Sequence, residues 1–323
     1  IGNWITSNVE NMFEMFNGSS SFNHDIGSWQ TANVENMSAM FSSASSFNHD
    51  IGNWNTSKVK HMPFMFYNAS SFNQNIGNWE TTSLISMNDM FHKASSFNQS
   101  LDNWDTSQVE DMSRIFQAAV SFNGNIENWN TSNVTVMQET FAEATNYNQD
   151  IGAWNTSKVT NMRRMFSNAT NFNKSIINWD VSEVTNMESM FASASNFNQN
   201  ISNWCVTKIL SEPLDFSTDS ILEDLYKPNW GSCPSNEIVA SGILTPYSQT
   251  VESKWILVGI DFFPGTKVRV FDKNGYLVYE SENYNNEWGG LNNDGKILPA
   301  GSYYYLIIKP NQTTMDGWLF LTY

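Results

Sequence analysis

Apolar and polar positions recur in fixed columns over residues 1–200. Trp4, Trp29, Trp54, Trp79, Trp104, Trp129, Trp154, Trp179 and Trp204 stand 25 residues apart. Met12, Met37, Met62, Met87, Met112, Met137, Met162 and Met187 fill a second column. Met15, Met40, Met65, Met90, Met165 and Met190 fill a third, with Ile115 and Thr140 as exceptions. Phe16 recurs at 41, 66, 91, 116, 141, 166 and 191 without a miss. One polar column is equally strict: Asn23, Asn48, Asn73, Asn98, Asn123, Asn148, Asn173 and Asn198. Eight complete units span 1–200, and a ninth begins at Ile201. Self-similarity at such a period signals a solenoid, in which stacked coils cover the apolar side chains that no single unit can bury.

The pattern inside a unit suggests its local structure. In 26–50, Met37, Met40, Phe41 and Ala44 fall at i, i+3, i+4 and i+7, one face of a short helix. Asn11, Asn36, Ser86, Asp111, Asn161 and Asn186 precede that run as N-caps. Pro63 stands where a helix start tolerates it. Val59, after Thr56-Ser57-Lys58, and its equivalents read as a short strand. The prediction is an α+β solenoid of about eight 25-residue coils, each with one short strand and one short helix. Strands space coils by about 4.8 Å, whereas helices need about 8–10 Å, so such a stack is expected to curve.

The columns stop after Trp204. Cys205 and Cys233, the only cysteines, bracket the segment that follows. They are read as a disulfide closing a terminal cap, with free thiols as the alternative. Such a bridge contributes about 3–4 kcal/mol on the chain-entropy model and implies an oxidising compartment. From Asn236 the pattern changes to period two. Trp255–Val258, Lys267–Phe271, Tyr276–Tyr279, Ser302–Ile308 and Trp318–Leu321 read as strands, with Asn274-Gly275 as a hairpin turn. The predicted domains are a repeat solenoid (1–204), a cap and linker (205–235) and an all-β, Ig-like sandwich (236–323).

Composition narrows the function. The chain has 323 residues and a net charge of −16, with 8 Lys+Arg against 18 Asp+Glu in residues 1–200. That surplus repels phosphate backbones, so no nucleic-acid partner is expected. Polarity comes from Asn: 34 of the 44 lie in residues 1–200. The Trp, Met and Asn columns are read as structural, the Asn column as a ladder of amides bonding the backbone of adjacent coils. Ile1 is already in phase with the repeat, so further sequence upstream is expected. No P-loop, GxSxG or HExxH is present, and the carboxylates at Asp25, Asp50 and Asp150 share an interrupted column. No enzyme activity, metal or cofactor is expected. Lys58-Lys60-His61 and Arg163-Arg164 are the basic clusters of the array, in variable columns where partner specificity would reside.

Both halves resemble known families. Met162-Arg163-Arg164-Met165-Phe166-Ser167-Asn168-Ala169, followed by Phe172-Asn173 and Trp179-Asp180, resembles the BspA-like surface-protein repeat, a leucine-rich-repeat relative. The resemblance implies a leucine-rich-repeat-like solenoid and an adhesive surface for an unidentified protein or glycan. Residues 236–323 resemble the gliding-motility-associated C-terminal domain of Bacteroidetes, a type B sorting domain. The matching positions include Phe263, Pro264, Phe271, Gly275, Tyr279, Trp288, Gly290, Pro299, Gly301 and Tyr304. This resemblance implies export by the type 9 secretion translocon to the outer cell surface, and a PorP/SprF-type outer-membrane partner. In the loop 246–253, Gln249 and Ser253 stand where that family has Asp. Asp219-Ser220-Ile221 is similar to the O-glycosylation signal of the same bacteria, which implies Ser220 as an acceptor. Two other readings stand beside the adhesin: a structural cargo of the secretion or gliding machinery without its own ligand, and an ice-binding solenoid built on the Thr6 to Thr156 column.

Overall fold

The structure is a computed structural model describing residues 1–234, 237–246, 254–260, 263, 265–310 and 313–323. The chain divides into two compact units, Ile1–Cys233 and Pro234–Tyr323.

The first unit is a stack of coils, but its coils contain neither the expected helix nor the expected strand, so the α+β class is incorrect. The segment 37–44 is a run of tight turns. Met40, Ser42 and Ala44 donate their amides three residues back, to Met37, Ala39 and Phe41 at 3.2, 3.1 and 3.0 Å. The alternate amides leave the coil. Met37, Ala39, Phe41 and Ser43 donate to His61, Pro63, Met65 and Tyr67 of the next coil at 2.9, 2.8, 2.9 and 2.6 Å. An α-helix would send all of them to residue i−4 of its own coil. Ala39 and Ser43 sit at φ 54° and 58°, a left-handed geometry that no right-handed helix contains.

Axial spacing decides the matter. The rings of Phe41 and Phe66 lie 5.7 Å apart, too close for helices that need about 8–10 Å between axes. Stacked turns satisfy the same amides at ladder distance, half within the coil and half across it. Met37, Met40, Phe41 and Ala44 are fully buried by this route. The expected cap residues open a turn instead of a helix: Asn36 Oδ1 accepts from the Ser38 amide at 2.9 Å, and Asn161 Oδ1 from that of Arg163 at 3.0 Å. The expected strand shrinks to single-residue parallel bridges, Asn11–Asn36–His61–Ser86 and Asp111–Val136–Asn161–Asn186. Without helices, the argument for curvature loses its premise.

Trp and Phe columns form the centre of the stack. Trp54 and Trp79 lie 6.4 Å apart with planes 4° from parallel, and Phe41 and Phe47 stack within one coil at 4.0 Å. Past Trp204 the cap takes over the ladder. Leu214, Phe216 and Thr218 accept from Ser189, Phe191 and Ser193 at 2.9, 2.8 and 2.7 Å. Phe216 and Leu222 are buried in the same core, and Cys205 and Cys233 form a disulfide. A 3-10 turn lies in the cap at Asp224–Tyr226.

Among its described residues the second unit has seven strands: β1 (Val239–Ala240), β2 (Ile243–Leu244), β3 (Leu257–Val258), β4 (Lys267–Phe271), β5 (Leu277–Ser281), β6 (Gly301–Ile308) and β7 (Thr314–Leu321). β1 pairs with β3, and the other five form a sheet ordered β2-β7-β6-β4-β5. Trp255, Val268, Val270, Ile307, Leu319 and Leu321 fill its core. The Asp272–Gly275 turn joins β4 to β5, and Gly275 supplies its φ of +83°.

Candidate binding surface

Four positions of each coil form its outer turns, the second and fourth of them left-handed: Phe13, Glu14, Asn17 and Gly18, with their equivalents every 25 residues. Because each coil sits directly on the next, side chains 25 apart in sequence become neighbours.

The centre of this turn face spans three coils. Asp89 is 1% exposed, unusual for an unligated carboxylate. Arg114, 25 residues on, donates Nε and Nη2 to its two oxygens at 2.7 and 3.0 Å. His92 Nδ1 donates to Oδ1 at 3.0 Å. Burial alone would raise the Asp89 pKa, but the bonds from His92 and Arg114, with the Arg114 charge, together hold it below the usual value. The bond to Asp89 in turn raises the Arg114 pKa. His92 packs edge-on against Tyr67, with centroids 4.9 Å apart, and Phe64 meets Tyr67 at 6.0 Å. Phe64 is 37% exposed, and Lys93 Nζ lies 5.9 Å from the Tyr67 ring. The result is an open patch of two aromatic rings and three nitrogen bases around a buried carboxylate.

Further along, Arg163 bridges Glu139 and Glu188 at 3.2 and 3.3 Å. A shallow depression there is lined by Arg163, Arg164, Ser167, Ser193, Asp215 and Asp219. The other basic cluster, Lys58-Lys60-His61, is satisfied internally. Lys60 pairs with Glu35 at 2.8 Å, Lys58 reaches Asn33 Oδ1 at 2.7 Å, and His61 meets Ser86 Oγ at 2.9 Å.

The repeat matches a family described as Mycoplasma protein of unknown function, DUF285, over residues 1–104 and 86–204. The chain belongs to this family. Residues 238–321 match the CHU_C type IX secretion signal domain. Such a signal implies export by the type IX machinery and a cell-surface or secreted location. No curated protein and no solved structure matches the chain.

Within the DUF285 coils, the strict columns are taken up by the scaffold. Asn23 Oδ1 accepts the Asn48 amide at 3.0 Å, and the same bond repeats from Asn73, Asn98, Asn123, Asn148, Asn173 and Asn198 to the Asn one coil back. Trp29, Trp54, Trp79, Trp104, Trp129, Trp154 and Trp179 are at most 4% exposed, while Trp4 in the first coil is 53% exposed. The Thr column that an ice-binding face would need is buried, and Thr31 and Thr56 donate their hydroxyls to Asn55 and Glu80 carbonyls. Among the described residues no group of three His, Cys, Asp or Glu is placed to hold a metal ion.

In the CHU_C unit, Tyr279 stacks on buried Trp288 at 5.0 Å, and Pro299 O accepts from the Tyr303 hydroxyl. Gly290 has φ +77° where a Cβ would come within 2.8 Å of Leu321 and Pro246. Phe263 lies under Lys309, and Gly301 opens β6. Tyr304 meets Phe271 on one side and Trp318 on the other, across β4, β6 and β7. Pro264 and residues 247–253 of the Asp-depleted loop lie outside the described residues. Ser220 is half-buried and donates to Ser217 O at 2.8 Å.

The Asp89–Arg114 patch was not singled out by composition or by local basic clusters. Its signal is the 25-residue offset itself: Tyr67 and His92, Asp89 and Arg114, Arg163 and Glu188 are each one period apart.

Proposed function

We propose that this is a surface-displayed binding protein, in which residues 234–323 direct type IX export and the DUF285 coils present the turn face to a ligand. The carrying observation is the Phe64–Arg114 patch. A buried carboxylate orients cationic and aromatic side chains at positions the core does not need, an expense that stacking alone does not require. Anchoring would follow from contact between the signal unit and an outer-membrane protein of the PorP/SprF type. The aromatic row Phe271–Tyr304–Trp318 on β4, β6 and β7, half-buried at its first two members and exposed at Trp318, supports such a contact.

Two cell-based measurements test this. Deletion of 234–323 should strand the chain in the periplasm, and normal surface display of the deletion would refute the export role. Cells displaying the full chain should adhere to their natural surface more than cells lacking it. Equal adhesion would remove the binding role and leave a structural cargo.

A further inference from the structure

We propose that the Phe64–Arg114 patch binds an acidic glycan, a chain of sugar rings bearing carboxylate or sulfate groups. The inference rests on the surface-binding reading above and names the ligand of that face.

Charge is the first argument. Residues 1–200 hold only 8 Lys+Arg, yet Lys93 and Arg114 stand one coil apart here beside His92. Arg114 spends Nε and Nη2 on Asp89, and His92 spends Nδ1. Arg114 Nη1, His92 Nε2 and Lys93 Nζ have no hydrogen-bond or ion-pair partner among the described residues. Two further carboxylates act on the Arg114 charge: Glu139 is engaged by Arg163, and Asp111 accepts from the Ser113 amide at 2.7 Å. The patch is therefore a local site for anions on a chain of net charge −16.

The aromatic rings select among anions. Phe64 and Tyr67 offer apolar faces beside the cations, the combination that receives the C–H face of a sugar while its acid group meets Lys or Arg. A free inorganic anion would have no use for the rings. The rings also separate a glycan from an acidic peptide, because a polyglutamate side chain supplies charge but no apolar ring face for Phe64 and Tyr67 to receive. The patch is also an open surface, which suits a polymer. Pre-organisation by the buried Asp89 lowers the cost of fixing Arg114 and His92 on binding.

The test is titration calorimetry on the full chain. Probes are oligogalacturonate, chondroitin sulfate, methyl-esterified oligogalacturonate and polyglutamate. Variants are Lys93→Glu and Tyr67→Ala, which leave the Asp89–Arg114 pair intact, with thermal unfolding confirming the fold. At least one charged glycan should bind, and the one that does identifies the acid group. Lys93→Glu should weaken binding by about tenfold or more, as should a rise from low to high salt. Tyr67→Ala should also weaken it, and the methyl ester should not bind. Binding of neither charged glycan, equal binding of the methyl ester, unchanged binding by both variants, or polyglutamate binding as tight as the glycans would each overturn the proposal. Adhesion that persists in both variants removes this ligand and leaves the adhesive reading standing. Glycan binding without any adhesion does the reverse.

Discussion

Trp104 Nε1 donates to the carbonyl oxygen of Ile76, 28 residues back in the chain, at 3.1 Å. The same bond ties Trp54 to Ile26, Trp79 to Ile51 and Trp204 to Ile176. Each indole thus fills its own coil and satisfies a buried acceptor of the coil before it. Trp104→Phe keeps an aromatic ring but orphans the Ile76 carbonyl and leaves a void. The expected cost is about 2–4 kcal/mol, read as a lower urea midpoint. A loss under about 0.5 kcal/mol would show that the bond adds nothing to the stack.

Tyr147 carries the opposite expectation. Its column holds Phe at every other coil from Phe22 to Phe197, and its hydroxyl is buried without a partner. Burial drives its pKa well above the ordinary value. Tyr147→Phe removes an unsatisfied polar atom and keeps the ring, so it should stabilise by about 1–2 kcal/mol. A lower thermal midpoint for the variant would contradict the finding.

Backbone handedness gives a sign test of the turn structure. Ala118 lies at φ 54° in the segment that resembles a helix in sequence. Ala118→Gly should stabilise by about 1 kcal/mol, because glycine adopts this region without steric cost. In a helix the same change would destabilise by about 1 kcal/mol. Chemical denaturation decides between the signs.

Asp89 makes stability depend on acid. Its folded pKa lies below the unfolded value, so its contribution is fully present above about pH 4 and is lost as pH falls through the folded pKa. The advantage of the native chain over Asp89→Asn, measured by urea unfolding, should therefore shrink between neutral pH and about pH 3. A constant difference across that range would mean that the carboxylate charge is not what holds Arg114.

The Cys205–Cys233 bridge closes the cap over a sequence separation of 28 residues. Cys205→Ser with Cys233→Ser should lower stability by about 3–4 kcal/mol on the loop-entropy model. Amide exchange should rise first at Phe191 and Ser193, whose bonds end on the cap. Uniform loosening of the whole array would argue against a local cap.

Much of this architecture is visible in the sequence, because a period of 25 residues places chemistry by arithmetic. The Trp, Met and Phe columns identify the buried face, and Asn274-Gly275 marks a real turn between β4 and β5. The helical spacing misleads for a physical reason. Met37, Met40, Phe41 and Ala44 satisfy the helical spacing, but two consecutive turns bring the same four side chains to the same side. The pattern records which residues face inward and not where their amides go. Only the distance between coils separates the two, and that distance is a property of the stack. The Asp89–Arg114 pair was missed similarly, since residues adjacent in space share no local motif.

The turn amides that leave a coil land on matching carbonyls of the next, as those of Met37, Ala39, Phe41 and Ser43 do, so interior junctions are close to interchangeable. A gene for such a protein tolerates gain or loss of whole repeats by recombination, since each event restores the same junction. A slip of any other length throws every later column out of phase and is lost with the fold. Lineages can therefore lengthen the array or shuffle its outward residues, trying new ligands while the interior is inherited unchanged.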